Sequence, residues 1–328
     1  MKTIVVDTFG ADAGAAPIIR GCLRALQRHP DLRIVFVGDE AELSSYCSKG
    51  ERIEWIHTTD YIKNEENPAV IFGGRDTCSM ALAYERLKND DNCIGMLSPG
   101  STGALLIGSI CRLGLLGGLK VPALSSYLPL YDGRMVCLVD CGANIQCTAK
   151  DLARFGVMGD AFCRSMQPKV TPKVALLSVG KEEGKGGPLQ KEAFGLLQQL
   201  PLQFIGNMEG SDLVSGYADV VVADGFAGNI LLKSIESAGM TARGMVQSIA
   251  AKAGEADSPM VQEMLIRLSE TFDLNPRGGA TFLGTAKTVI KMHGCAVENT
   301  PVACIDQLLR LEASGFIKTV EAALQQVK

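Results

Sequence analysis

The chain has 328 residues, 47% of them hydrophobic and 36 of them glycine, which suits one large α/β core crossed by tight turns. A net charge of −4, a pI near 5.6 and the lack of a basic tract interleaved with aromatics remove nucleic acid from the expected partners. No run of about eighteen apolar residues is present to span a membrane, and the eleven cysteines, without a C-x-x-C pair or zinc spacing, read as reduced structural thiols of a cytoplasmic protein.

The chain opens directly on strand residues, Thr3-Ile-Val-Val-Asp7, with no secretory leader pattern. Continuous Val/Ile/Leu runs predict strands over 4–6, 34–37, 53–57, 93–97, 135–139, 174–178 and 220–223, the pattern of parallel strands buried on both faces. Helical spacing over 16–28, 78–88, 102–113, 149–164, 189–199 and 230–252 alternates with them. The expectation is a three-layer helix/sheet/helix unit with a mostly parallel sheet, one domain over 1–328. From about 236 to 274 the pattern becomes two helices around the polar turn Ala253-Gly-Glu-Ala-Asp-Ser-Pro259, either a projecting hairpin or an ordinary packed pair. Met240, Met245, Ile249, Met260, Met264 and Leu265 recur there at helical spacing and are expected to face the partner helix or a dimer mate. Glu255 and Asp257 at the turn limit any membrane contact to a weak peripheral one.

Five Gly-rich loops follow predicted strands, and a parallel sheet would gather them along one edge. Asp7-Thr-Phe-Gly-Ala-Asp12 sets two carboxylates around Gly10. Ser98-Pro-Gly-Ser-Thr-Gly103 opens a helix with small and hydroxyl residues, so Gly100, Ser101, Thr102 and Gly103 form either a phosphate nest or a plain N-cap and glycine turn. Asp140-Cys-Gly-Ala-Asn144 follows the fifth strand; Ser178-Val-Gly-Lys-Glu-Glu-Gly-Lys-Gly186 follows the sixth and is in isolation a solvated charged loop. Asp224-Gly-Phe-Ala-Gly-Asn229 then leads through Gly225 and Gly228 into a helix carrying Lys233. A carboxylate between strand end and helix start makes Asp224 the first catalytic candidate. Arg277-Gly-Gly279 and Lys291-Met-His-Gly294 add cations and turns near the C-terminus. No G-x-G-x-x-G follows the first strand, and G-x-x-x-x-G-K-[ST] and G-x-S-x-G are absent, which argues against ordinary dinucleotide, NTPase and serine-hydrolase sites.

Taken in order, these loops resemble the bacterial phosphate acyltransferases of the PlsX family. The resemblance also draws in Val157-Met-Gly159, Phe204-Ile-Gly-Asn-Met-Glu-Gly210, Asp219 to Lys233, and Gly278-Gly-Ala280 with Leu283-Gly284, and so spans nearly the whole chain. It implies transfer of a fatty acyl group from acyl carrier protein to inorganic phosphate without metal or cofactor. It further implies a homodimer and a fold similar to the isocitrate and isopropylmalate dehydrogenases and to phosphotransacetylase. By the same resemblance phosphate sits near Ser98 to Gly103 and the Asp7 to Asp12 loop, and Lys185 and Lys233 supply positive charge. Glu183 belongs to the same substrate set; Asn144, Asn207 and Asn229 donate hydrogen bonds, and Asp224 acts as acid/base on the thiol. Short acyl-CoA as donor, and an inactive paralogue that binds acyl carrier protein, are the alternatives. Phe9, Ala11, Ala13, Ser101 and Ser178 depart from the family pattern, and its basic stretch is reduced to Arg75 within Phe72-Gly-Gly-Arg-Asp-Thr-Cys-Ser-Met80.

Overall fold

The computed structural model describes residues 1–130, 132–168, 171–272 and 278–327, so Arg277 and the last two residues of the expected hairpin lie outside the described residues. The first half of the chain builds β1 (Lys2–Asp7), α1 (Ala16–Arg28), β2 (Leu32–Gly38), α2 (Glu40–Ser44), β3 (Ile53–His57), α3 (Ser79–Asn89), β4 (Cys93–Ser98) and α4 (Thr102–Gly108). After β5 (Ala123–Pro129) come β6 (Met135–Val139), α5 (Ala149–Met166), β7 (Lys173–Leu177), α6 (Pro188–Gln198), β8 (Gln203–Met208), β9 (Val220–Val222) and α7 (Gly225–Ala253). The chain then forms α8 (Pro259–Phe272), a short β10 (Ala280–Leu283) and β11 (Thr288–Lys291), and ends in α9 (Asn299–Ala313) and α10 (Phe316–Leu324).

All the strands form one sheet in the order β3-β2-β1-β4-β11-β10-β5-β6-β9-β7-β8. Alternation along each strand feeds both faces, as a helix/sheet/helix sandwich requires. Ile4 and Val6 of β1 pack with Ile18 and Ile19 of α1 and Leu308 of α9, whereas Val5 packs with Met80 and Tyr84 of α3. In β6, Cys137 and Val139 meet Phe155 and Phe162 of α5, while Val136 and Leu138 face the other side. Burial of each such side chain is worth ~1.5–3 kcal/mol against exposure, so strands of this composition are fixed in register by their own hydrophobic pattern.

The seven predicted strands are present within two residues at each end. Their common direction is not. β1, β2, β3, β4 and β11 are mutually parallel, and β6, β7, β8 and β9 are mutually parallel. Between the two blocks lie three antiparallel steps, β11 with β10, β10 with β5, and β5 with β6. Three reversals turn the second block against the first. The expectation that all five glycine loops share one edge is therefore overturned: the loops after β1 and β4 lie on one edge, and those after β6, β7 and β9 leave toward the other.

The expected helix over 102–113 is α4 followed by a π-helical turn, Ser109–Leu113, that stops at Gly114 with φ 101°. α7 starts at Gly225, five residues before its predicted start, and pairs with α8 as a helical hairpin. A Cβ at Gly239 would stand 2.3 Å from Phe272 Cβ, so this glycine lets the two helices close. Met240, Met245, Ile249, Met260 and Met264 are exposed and only Leu265 is half-buried, so the expected contact with the partner helix does not cover these methionines. Among the described residues no helix is long and apolar enough to cross a membrane.

Candidate functional site

Where β1 and β4 end, two loops meet at glycines. A Cβ on Gly10, whose φ is 98°, would stand 2.6 Å from Gly100 Cα, so neither loop tolerates a side chain at that crossing. Beneath it the Ser98 hydroxyl donates to Asp7 Oδ2 at 2.8 Å and accepts from the Gly100 N–H at 3.0 Å. The Gly100 amide that a phosphate nest would use is thus engaged inside the protein. Asp7 is buried; desolvation pushes its carboxyl up to about 6, against the lowering effect of the Ser98 and Phe9 hydrogen bonds. Asp12 is exposed and its N–H donates to Gly294 O at 2.8 Å, tying the first loop to the turn after β11.

Lys291 closes β11 opposite Ser98. Its Nζ donates to Pro99 O at 3.0 Å and Met292 O at 2.5 Å, and burial pulls its ammonium down to about 8. Asn229, Leu232, Lys233 and Glu236 of α7, at spacing i, i+3, i+4 and i+7, form one helical face that covers a cavity of about 350 Å³. Leu124 and Ser126 of β5 with Ala280 of β10 supply its floor. The rest of the lining includes Gly100, Thr102, Lys291 and His293 together with Cys141 and Gly142, and Gly142 lies against the Asn229 side chain. Lys233 is paired with Glu236 at 2.7 Å, and His293 Nε2 lies 3.8 Å from the same carboxylate. Ser101 and Gly103 flank Thr102 without contributing to the lining, and α4 has no side-chain cap.

The second block's edge is organised differently. Buried Asp140 accepts from the amides of Leu124, Gly142, Ala143 and Asn144 and from the Asn144 side chain, at 2.6 to 3.3 Å. Burial raises the Asp140 carboxyl while those donors oppose it. The Asn144 amide is held by Asp140 and by Pro122 O at 2.7 Å. α7 begins tight against this turn: a Cβ on Gly225 would stand 2.6 Å from Asn144 O, and one on Gly228 would overlap Asp140 O. Both glycines are thus required by packing. Asp224 caps α7, its Oδ1 accepting from Ala227 N at 2.9 Å. At 1.5 Å per residue, Lys233 lies about 13 Å along the helix from Asp224, so one helix carries the two candidates to different ends. Lys185 and Glu183 are exposed in the loop after β7; Asn207 is buried and donates to Glu182 O at 2.8 Å. Of the expected residues, Gly100, Thr102, Asn229 and Lys233 line the cavity; Asn144, Glu183, Lys185, Asn207 and Asp224 do not. Lys291 and Asp140 are not among the expected site residues: Lys291-Met-His-Gly294 reads only as a cationic turn, and nothing in Asp140-Cys-Gly142 tells from the sequence that this carboxylate collects five donors.

A family model described as "Fatty acid synthesis protein" matches residues 2–319. The phosphate acyltransferase of Bacillus cereus (strain G9842) is 33% identical over 325 residues, 98% of each chain, and that of Bacillus thuringiensis (strain Al Hakam) is 33% identical over 327 residues, also 98% of each. The chain belongs to the phosphate acyltransferase family. Among solved structures it is similar to the EutD phosphotransacetylase from Staphylococcus aureus, with TM-score 0.60, 16% identity and 95% and 94% of the two chains covered. It is likewise similar to a branched-chain phosphotransacylase from Enterococcus faecalis V583, with TM-score 0.57, 16% identity and 94% and 98% covered. These likenesses establish the three-layer fold. Two departures from the phosphate acyltransferase pattern acquire a structural account. Phe9 stacks on Tyr61 with ring centroids 4.8 Å apart, and Arg75 is clamped by Asp60, Glu66 and the Tyr61 carbonyl. That remaining arginine of the basic stretch is already neutralised.

Proposed function

We propose that this chain transfers a fatty acyl group from acyl carrier protein to inorganic phosphate, forming acyl phosphate. The observation that carries this reading is a cavity lined by Lys233, Lys291, the Gly100 and Thr102 loop and the Asn229 side chain, in a chain of this family. Phosphate sits against Gly100, Thr102 and Lys233, and the donor thioester enters past Asn229. A phosphate oxygen attacks the thioester carbonyl carbon, the C–S bond breaks, and the departing thiolate takes a proton from Asp224, the acid/base on the thiol, which recovers through solvent the proton that phosphate gives up. Asn229 donates to the oxyanion that forms in the transition state. In the same reading Lys185, Glu183, Asn144 and Asn207 shape the approach of the donor from the second edge.

The chain works as a homodimer in this proposal, and the exposed methionines of the hairpin serve the dimer contact or donor docking. Glu255 and Asp257 at the hairpin turn keep membrane contact weak and peripheral. Sedimentation with anionic vesicles at physiological salt, abolished by deleting the turn, would overturn that part. The reaction is tested by incubating the purified protein with phosphate and either long-chain acyl carrier protein or short acyl-CoA, and trapping acyl phosphate with hydroxylamine. Product from acyl carrier protein supports the proposal; product from short acyl-CoA alone reassigns the donor, and product from neither makes the chain a binding paralogue.

A further inference from the structure

Of the two lysines lining the cavity, the one singled out in the sequence arrives already neutralised. Lys233 Nζ lies 2.7 Å from Glu236 Oε2. Lys291, by contrast, is held by two neutral carbonyls, Pro99 O at 3.0 Å and Met292 O at 2.5 Å, and has no carboxylate within 4.0 Å among the described residues. An ammonium carries three donors and a full charge. Carbonyl dipoles orient that charge without cancelling it, and in a half-buried position an uncompensated cation is costly unless an anion arrives.

We propose that Lys291 is a phosphate-binding residue of this cavity, positioned by the Pro99 and Met292 carbonyls so that its remaining N–H and its charge meet the incoming anion. The inference rests on the reading that this cavity takes inorganic phosphate. Pro99 belongs to the loop after β4, so the contact that orients Lys291 also ties it to Gly100 and Thr102 on the same wall. Charge enters from three further directions. Asp7 and Asp12 lie in the first loop, Lys233 and Glu236 on α7, and His293, Cys295 and Cys304 on the following turn and α9. Desolvation dominates and draws the Lys291 ammonium down to about 8, with Asp12 opposing and Lys233 reinforcing. A bound dianion favours the charged form, so phosphate binding near pH 8 takes up a proton, and affinity falls as the pH rises past that point.

Calorimetric titration of the full-length protein with inorganic phosphate at pH 8, in two buffers of different ionisation enthalpy, reads both affinity and proton uptake. In the wild type, uptake is expected. In Lys291→Met it should vanish and phosphate affinity should weaken by about tenfold to a hundredfold, the worth of one charge-assisted contact. Lys291→Arg keeps the charge at every accessible pH and should recover part of the affinity without proton uptake. In the acyl-transfer assay the loss should appear in the KM for phosphate while the KM for the donor stays put.

A folded Lys291→Met protein that binds phosphate within about twofold of wild type would refute the proposal. If that variant does not fold, wild-type affinity that is flat from neutral to alkaline pH with no proton uptake refutes it equally, as does a wild-type protein that binds no phosphate at millimolar concentration. Lys291-dependent phosphate binding without acyl phosphate from either donor leaves the inference standing and removes the proposed reaction.

Discussion

The two edges of the sheet carry the same motif, an aspartate at a strand end followed by glycine, and use it in opposite ways. On the second block, Asp140 is saturated by five donors and the glycines after it and after Asp224 exist to let α7 press against the turn. On the first block, Asp7 receives Ser98 Oγ and Phe9 N, and its carboxyl is pushed up to about 6. A saturated carboxylate is architecture, because every lone pair that chemistry would use is taken. Asp7, with one donor on each oxygen against the five on Asp140, keeps lone pairs open beside the Gly100 loop.

The comparison breaks first at Asp140. Asp140→Ala strips four backbone amides and the Asn144 side chain of their acceptor, and we expect a loss of ~3–5 kcal/mol in urea unfolding; a change under ~1 kcal/mol would mean the turn is held by something else. Next comes Asp224→Asn. Asparagine caps a helix as well as aspartate, so stability should be unchanged while turnover falls by ~10²-fold or more, with the KM for phosphate preserved. Wild-type turnover would make Asp224 a cap alone, like Asp140 a structural carboxylate.

A smaller effect of opposite sign is expected at Asp7. The folded protein holds this proton up to about pH 6, the unfolded chain only to 3.8. The native state therefore binds more protons in that window, and stability declines as the pH climbs through it. Asp7→Asn should gain about 1–2 kcal/mol at pH 7 and flatten the dependence between those values, measured as unfolding midpoints at pH 4 and 7. The smallest effect is Lys185→Ala, about tenfold in kcat with the KM for phosphate untouched, if the second edge steers the donor; no change in any constant would confine the chemistry to the first edge.

How much of this was legible follows from how locally each feature is encoded. Val220-Val-Val222 and Ile34 to Val37 are continuous apolar runs that read as buried strands, and the helix expected from 149 starts there, whereas α7 begins at its Asp224 cap, five residues before the start that helical spacing marks. β5, with Ser125 and Ser126, and β8, which carries Gly206 at φ 93°, lack the apolar continuity that marks a strand. β10 and β11 have four residues each, too few for periodicity to register. Those omitted strands include two that reverse the sheet, which is why a correct set of strands led to a wrong edge for three loops. The residues of the cavity show the same division. Gly100, Thr102, Asn229 and Lys233 sit in loops with a recognisable composition, whereas the significance of Lys291 comes from carbonyls 192 residues away and next door along the chain.

The placement of β10 and β11 also sets a timetable for biosynthesis. Strands β1 to β4 and β5 to β9 emerge from the ribosome as two separate ribbons, and no ladder joins them until residues 280–291 are made and slip between β4 and β5. Until then each ribbon presents an open edge that can pair with a neighbouring nascent chain. The cavity, lined by Ala280, Lys291 and Gln307 of α9, is consequently completed only late in synthesis, and a chain released before residue 280 would be a pair of sticky half-sheets with no cavity between them.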